Sequence, residues 1–268
     1  MNKTERLMCG ILERGRDEFG VVSVKAEFEA EGTRMDELLR LIDMARSVGL
    51  PMTVKIGGCE AIRDLLEAKQ IGVRHIVAPM IETSYALSKF IDAKNLVYDK
   101  DEAIDTDFLF NLETATGFTN REEMSILASA PSGVQGVVFG RVDYSGSLGI
   151  GRAEINSQQV TNSVLEVAKL CLKQELDLVV GGGVSIDSLT ALKEIAAVKL
   201  TRFETRKVVF SGRALEKDNI SAGLLNAVHF ELLWLTNKRD YYGRISKEDA
   251  TRIEMLESRW NLLGGDIR

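Results

Sequence analysis

Glu113 and Asp143 are the side chains whose types and setting point most directly to chemistry. Each closes a short strand-like run. Phe108-Leu109-Phe110-Asn111-Leu112-Glu113 is apolar and turns polar at its end. Gly136-Val137-Val138-Phe139-Gly140-Arg141-Val142-Asp143 is β-branched and opens into the small-residue loop Tyr144-Ser145-Gly146-Ser147-Leu148-Gly149. Between them Thr119-Asn120-Arg121-Glu122-Glu123 sets a cap residue before acidic first-turn residues, which predicts a helix. Strand, helix, strand is a βαβ unit, so the two strands run parallel and end at one edge of the sheet. The two carboxylates are expected to meet there. Paired carboxylates beside a small-residue loop suit a hard divalent cation that keeps water or substrate oxygens in its other positions. Taken without further context, Glu113 suits helix capping and Asp143 an Asx-turn equally well.

Composition narrows the setting. The chain has 268 residues, 45% of them hydrophobic, enough for one large α/β domain or two small ones. Its net charge of −6 argues against nucleic acid or an anionic membrane as the main partner. No apolar run reaches the length of a bilayer span, and the charged N-terminus MNKTERLMCGILERGRDEFG lacks a signal-peptide core. Cys9, Cys59 and Cys171 are scattered, so they read as small buried residues rather than a disulfide or zinc framework. A reducing cytoplasm is the expected location.

The elements that must position the two carboxylates alternate along the chain. Residues 3–18 read as a helix, 21–29 as a strand, 34–48 as a helix, 52–57 as a strand and 59–70 as a helix. A strand at 75–81 and a helix at 83–93 follow. Residues 94–107 read as an acidic surface loop, with a short strand at 95–98 as an option. After the central unit come a helix at 157–174, a strand at 178–184, a helix at 186–197 and a last strand at 204–210. This alternation predicts a (β/α) barrel or an open doubly wound sheet. Seven strands are evident, one short of a closed barrel. From Ala214 the chain reads as helical, in segments near 215–238 and 246–262 that carry Trp234 and Trp260. The expected organisation is a barrel over 1–213 and a helical extension over 214–268, packed on the barrel or on a neighbouring subunit.

Alternate residues of a barrel strand point inward, and those near the C-terminal ends line the site. Lys25 and Glu27 share a face, Thr53 and Lys55 share a face, and so do Asn111 and Glu113. Polar side chains inside a barrel need partners, so their convergence reads as an anion-binding, metal-dependent site. Plainer roles are open for several residues. Lys55 could simply pair with Glu27, and Lys25 could be a counter-ion to an acidic mouth. Gly181-Gly182-Gly183 reads first as a tight turn, and His75 as a structural histidine.

The segments VKIGGCEAIRDLLEAKQIGVRHIVAPMIET, FNLETATGF and GVVFGRVDYSGSLG resemble the HpcH/HpaI aldolase and citrate lyase β-subunit family. The resemblance runs from about Val21 to Gly212 and is most specific at VVFGRVDYSGSLG. It implies an α/β fold, a (β/α)8 TIM barrel, and formation or cleavage of C–C bonds through a pyruvate or acetyl enolate. It implies that Glu113 and Asp143 hold Mg2+ or Mn2+ and that Asn111 lies near the 2-oxo acid. The backbone at Gly140, Arg141 and Val142, with Asp143, would hold the substrate carboxylate. Lys25, from its place on the inner face of the first strand, is a further substrate-binding candidate. Lys55 aligns with an arginine that stabilises the enolate, and Glu27 with a glutamate of the first site strand. Two departures stand out. Phe28 replaces the histidine base of the aldolase branch, and Lys55 gives a point donor where an arginine gives a fork.

The expected function is therefore a divalent-metal-dependent lyase or aldolase acting on a small 2-oxo acid or an acyl thioester, assembled as a homo-oligomer. Lys55 would stabilise the enolate and Glu27, or a water it positions, would move the proton. Two alternatives are a Schiff-base aldolase using Lys25 or Lys55, and a barrel that binds metal and oxo acid without turnover.

Overall fold

A computed structural model describes residues 1–263, so the last five residues of the expected extension lie outside the described residues. Eight strands close into a barrel in chain order. They are β1 (Val21–Glu27), β2 (Met52–Lys55), β3 (His75–Ala78), β4 (Asp107–Leu112), β5 (Gly136–Gly140), β6 (Asp177–Gly181), β7 (Arg202–Glu204) and β8 (Val208–Ser211). The helices are α1 (Lys3–Arg14), α2 (Met35–Ser47), α3 (Ile62–Ile71), α4 (Ser84–Val97), α5 (Ala115–Thr119), α6 (Arg121–Ala128), α7 (Arg141–Ser147), α8 (Gln158–Lys173), α9 (Leu189–Ala196) and α10 (Ile220–Leu262).

The eighth strand corrects the sequence reading twice. Residues 95–97 belong to helix α4 rather than to a strand, with Lys94 buried where a surface loop was expected. Its ammonium donates to the carbonyls of Ser132 (2.8 Å) and Gly133 (2.6 Å). The missing strand comes from splitting 204–210. β7 ends at Glu204, the chain turns through Thr205, Arg206 and Lys207, and β8 runs back antiparallel to both β7 and β1. The Thr205 N–H donates to the Val208 carbonyl at 2.9 Å, the Val208 N–H donates back to the Thr205 hydroxyl at 3.2 Å, and that hydroxyl donates to Glu231 of α10 at 2.6 Å, which fastens the turn. Strands β1 to β7 are parallel.

Side chains fill the barrel in layers. At its N-terminal end Ser23 bonds Thr53 at 2.8 Å and Thr53 bonds His75 at 3.3 Å. Arg202 reaches His75 at 3.3 Å and Asp177 at 2.9 Å. Burial, then the nearby Arg202 and Arg74, push the His75 pKa down to about 3, so the ring is neutral and structural. Above this layer Val77, Leu109, Val138 and Val179 form a separate apolar plug. The outward faces of the strands pack under the helices, where Phe108 meets Tyr98 and Phe90 edge to face.

The C-terminal segments merge into one helix of 43 residues, about 65 Å long at 1.5 Å per residue. Its first half presses Gly223, Leu224, Ala227, Phe230 and Trp234 against the barrel and α1. Trp260, expected to pack, is 54% exposed. Among the described residues no helix is long and apolar enough to cross a membrane. Phe230→Ala should cost about 3–5 kcal/mol, the usual range for emptying a buried phenylalanine site, read as a lower midpoint in denaturant unfolding. A change below about 1 kcal/mol would show that the helix does not hold the barrel.

Candidate active site

The parallel pairing of β4 with β5 brings their C-terminal ends to one edge, as the βαβ reading requires. Glu113 follows β4 and is 2% exposed; Asp143 stands in the first turn of α7 and is solvent-exposed. Thr114, not Glu113, caps α5 by accepting from the Gly117 N–H at 3.0 Å. Glu113 is bonded at both oxygens. Oε1 accepts from the Met80 N–H at 3.1 Å, and the Lys55 ammonium lies 3.5 Å away. Oε2 accepts from Asn111 Nδ2 at 2.6 Å. The opposite atom of that amide, Asn111 Oδ1, is buried with no hydrogen-bond partner.

Gly140 makes this packing possible. A Cβ there would stand 2.6 Å from Glu113 Oε2 and 2.8 Å from its Cβ. Gly181 does the same for Glu204, with its absent Cβ 3.1 Å from Oε1. Gly182, at φ +81°, lies against the next turn, its absent Cβ 2.6 Å from Val142 N and 2.8 Å from Arg141 N. Any side chain at that left-handed position would cover the first-turn N–H groups of α7. The Arg141 guanidinium is turned away from the mouth. It donates to the carbonyls of Gly181 (3.2 Å) and Gly182 (2.9 Å), to Asn156 Oδ1 (2.8 Å) and to Ser188 Oγ (3.3 Å). It is 1% exposed, and burial pushes its pKa down to about 10.

Three lysines and a ring of glutamates complete the mouth. Lys25 sits inside the barrel between Glu27, at 3.0 Å, and Glu204, a shorter contact. Lys55 bridges Glu29 at 3.0 Å and Glu113, rather than pairing with Glu27. Lys207, on the β7–β8 turn, pairs with Glu31 and stands 5.8 Å over the Trp234 ring. Burial opposes the charge on Lys25 and Lys55, yet the adjacent glutamates more than offset it and raise both pKa values. Burial likewise works against the Glu27 charge, and Lys25 overrides it to hold that carboxyl below the usual range. Glu113 goes the other way: burial outweighs Lys55 and the two donors, and its pKa rises. Asp143 adds a smaller push in the same direction. Lys207 is lowered, because burial exceeds the pull of Glu31.

The structure therefore brings together Lys25, Glu27, Lys55, Asn111, Glu113, Gly140, Arg141, Val142 and Asp143 at one end of the barrel. Sequence reasoning missed Glu204 and Lys207. Reading Glu204-Thr205-Arg206-Lys207 as a polar turn rather than the start of a strand would have found both.

A model of the HpcH/HpaI aldolase/citrate lyase family matches residues 24–202, about two thirds of the chain, and the chain belongs to that family. An HpcH/HpaI aldolase from Desulfitobacterium hafniense shares the fold at 13% identity and a TM-score of 0.59, over 74% of this chain and 82% of that one. An HpcH/HpaI aldolase/citrate lyase family protein from Burkholderia cenocepacia J2315 does so at 15% identity and a TM-score of 0.55, over 92% and 98%. A variant of the citrate synthase SbnG aligns at 12% identity and a TM-score of 0.50, over 82% and 98%. No curated protein matches the sequence.

Lys25→Met should leave Glu27 and Glu204 facing each other in the barrel without compensation. The expected loss is about 3–5 kcal/mol at pH 7. Glu27 has a depressed pKa in the native chain, so its stabilisation is present above the unfolded carboxylate value and is lost as pH falls through the folded value. The gap between wild type and variant in urea midpoints should thus shrink toward pH 4. A gap independent of pH would place the effect in packing instead.

Proposed function

We propose that this chain is a divalent-metal-dependent C–C lyase or aldolase acting on a small 2-oxo acid. The observation that carries the reading is the oxygen set at the end of β4. The parallel pairing of β4 with β5 sets Glu113, just after β4, and Asp143, in the first turn after β5, at one edge of the barrel, and the buried Asn111 Oδ1 beside Glu113 has no partner. These are hard donors, with neither thiolate nor imidazole, and suit Mg2+ or Mn2+. Among the described residues no three His, Cys, Asp or Glu side chains form a cage, and Mg2+ needs only one or two carboxylates beside water and substrate. Glu113 and Asp143 would hold the ion. When bound, it would supply Lewis acidity at the oxo oxygen.

The remaining roles fall to the chain itself. Lys55 is kept protonated, so it can donate to an oxygen that gains negative charge as an enolate forms. The N–H groups at Arg141 and Val142, left uncovered by Gly182, and the next one in the turn at Asp143 suit the substrate carboxylate, and the Gly140 backbone leads into them. Glu27 stays ionised and can accept a proton directly or through a water. Lys25 neutralises Glu27 and Glu204 and sets the local potential for an anion. An acyl thioester in place of the oxo acid would use the same groups. The scattered cysteines favour a reducing cytoplasm, and the family resemblance with the helical tail favours a homo-oligomer.

A second reading has one observation in its favour. Glu27 is held low by Lys25, which makes it a weak base, and Phe28 occupies the position of the family's histidine. A barrel that binds metal and oxo acid without turnover fits that. The Schiff-base alternative does not: Lys25 and Lys55 are ammonium ions at neutral pH.

Calorimetric titration of metal-stripped protein with Mn2+, with and without pyruvate, tests the site. The expected result is tighter Mn2+ binding in the presence of pyruvate, weakened at least about tenfold (about 1.4 kcal/mol) in Asp143→Asn. Binding of neither ligand would make Glu113 and Asp143 structural. Binding with no cleavage across a panel of 2-oxo acids and acyl thioesters would favour the second reading.

A further inference from the structure

Helix α10 buries one face and exposes the opposite one. Away from the barrel, Leu225, Val228, Leu232 and Leu235 are 68, 54, 61 and 59% exposed. Their spacing alternates three and four, the 3.5-residue period of a coiled-coil seam. The same count passes through Arg239, Tyr242, Ser246 and Asp249, then reaches Ile253, Leu256, Trp260 and Leu263. Those four are again open, at 53, 56, 54 and 86%. Every described residue after Tyr242 is exposed. Glu37, in the first turn of α2 and so on the mouth side, accepts from Lys238 (3.0 Å) and Tyr242 (2.6 Å). The helix has therefore climbed the barrel by residue 242 and projects beyond it.

We infer that this seam pairs with the same seam of a second copy of the chain, antiparallel and centred on Arg244. In that register apolar meets apolar at every outer layer: Leu225 with Leu263, Val228 with Trp260, Leu232 with Leu256, Leu235 with Ile253. The two charged seam positions, Arg239 and Asp249, face each other across the copies, and by symmetry they do so twice. Tyr242 stands level with Ser246 of the second copy but keeps its hydroxyl on Glu37 and its ring under Arg34 of its own chain, and Ile245 meets its own counterpart beside the two-fold axis. A parallel pair would set Arg239 on Arg239 and Asp249 on Asp249. Sliding the antiparallel copies by one heptad would drive Asp249 onto Leu232 or Arg239 onto Leu256. Charge complementarity thus selects one partner, one direction and one register. One flanking contact opposes it, Lys238 beside Arg252, and Lys238 is already paired with Glu37 at 2.9 Å. The seam is about 57 Å long at 1.5 Å per residue. As a strip about one helix wide, it reaches the order of the ~800 Å2 that each partner gives to a stable specific interface.

The pairing stands or falls independently of the chemistry at the mouth. The test uses the full chain with Cys9 and Cys59 replaced by serine and a spin label on Ser258→Cys. Sedimentation velocity should show paired chains, and electron–electron dipolar spectroscopy should give a label separation near 42 Å, because position 258 and its symmetry mate are offset by 28 residues along the seam. Arg239→Asp, at an exposed position, should weaken association at least tenfold, and adding Asp249→Arg should restore it. A monomer at tens of micromolar would overturn the inference. So would a separation under about 25 Å, which a parallel pair with axes about 10 Å apart would give, or a charge swap that fails to restore pairing.

Discussion

The mouth of this barrel depends on one constraint: an ion inside it must be answered by an ion of the other sign. Lys25 is the case on which the others rest. It is 6% exposed and lies between Glu27 and Glu204, so strands β1 and β7, both neighbours of β8, are tied by one ammonium. Lys55 and Lys207 repeat the arrangement with Glu29, Glu113 and Glu31. Removing one member of such a set leaves a buried charge, which costs more than the pair contributes. The mouth is still unbalanced. Glu27, Glu29, Glu31, Glu113, Glu204 and Asp143 outnumber the three lysines, and Glu113 has a pKa raised first by burial and, to a smaller degree, by Asp143. A divalent cation between Glu113 and Asp143 would relieve that imbalance, which ties the electrostatics to the proposed chemistry.

The reversed strand β8 makes the arrangement possible. In an all-parallel barrel the last crossover would carry a helix. Here a three-residue turn delivers Lys207 to the mouth directly after Glu204. The turn is then held by Glu231, which accepts from Thr205 and from the Lys207 N–H at 2.9 Å. Helix α10 therefore serves two structural ends, bracing the turn that carries a site lysine and extending past the mouth. Glycines act as the complement to the carboxylates, since Gly140 and Gly181 each leave the volume that a glutamate occupies.

Much of this was legible in the sequence because its signals were local. The period-two alternation from Val21 to Glu29 put Lys25 and Glu27 on the inner face, and the capped helix between two strands put Glu113 and Asp143 on one edge. Other parts depended on contacts between distant residues. The β7–β8 turn lacks glycine, and its polar residues run straight into Val208-Val209-Phe210, so hairpin and single strand look alike. The helical tail read as two segments because its middle is polar around Gly243, yet that glycine sits in a continuous helix. The partner of Lys25 lies two strands round the barrel at Glu204, a pairing that no spacing rule reveals.

The most direct test of the account is proton exchange at the methyl group of pyruvate in D2O, followed by NMR with Mg2+ present. Enolisation needs no second substrate, so the measurement bypasses the unknown half of the reaction. The account predicts exchange above the rate of Mg2+ alone, abolished by chelation and by Glu113→Ala. Exchange that persists in Glu113→Ala, or none at all in a protein shown to bind both ligands, would contradict it.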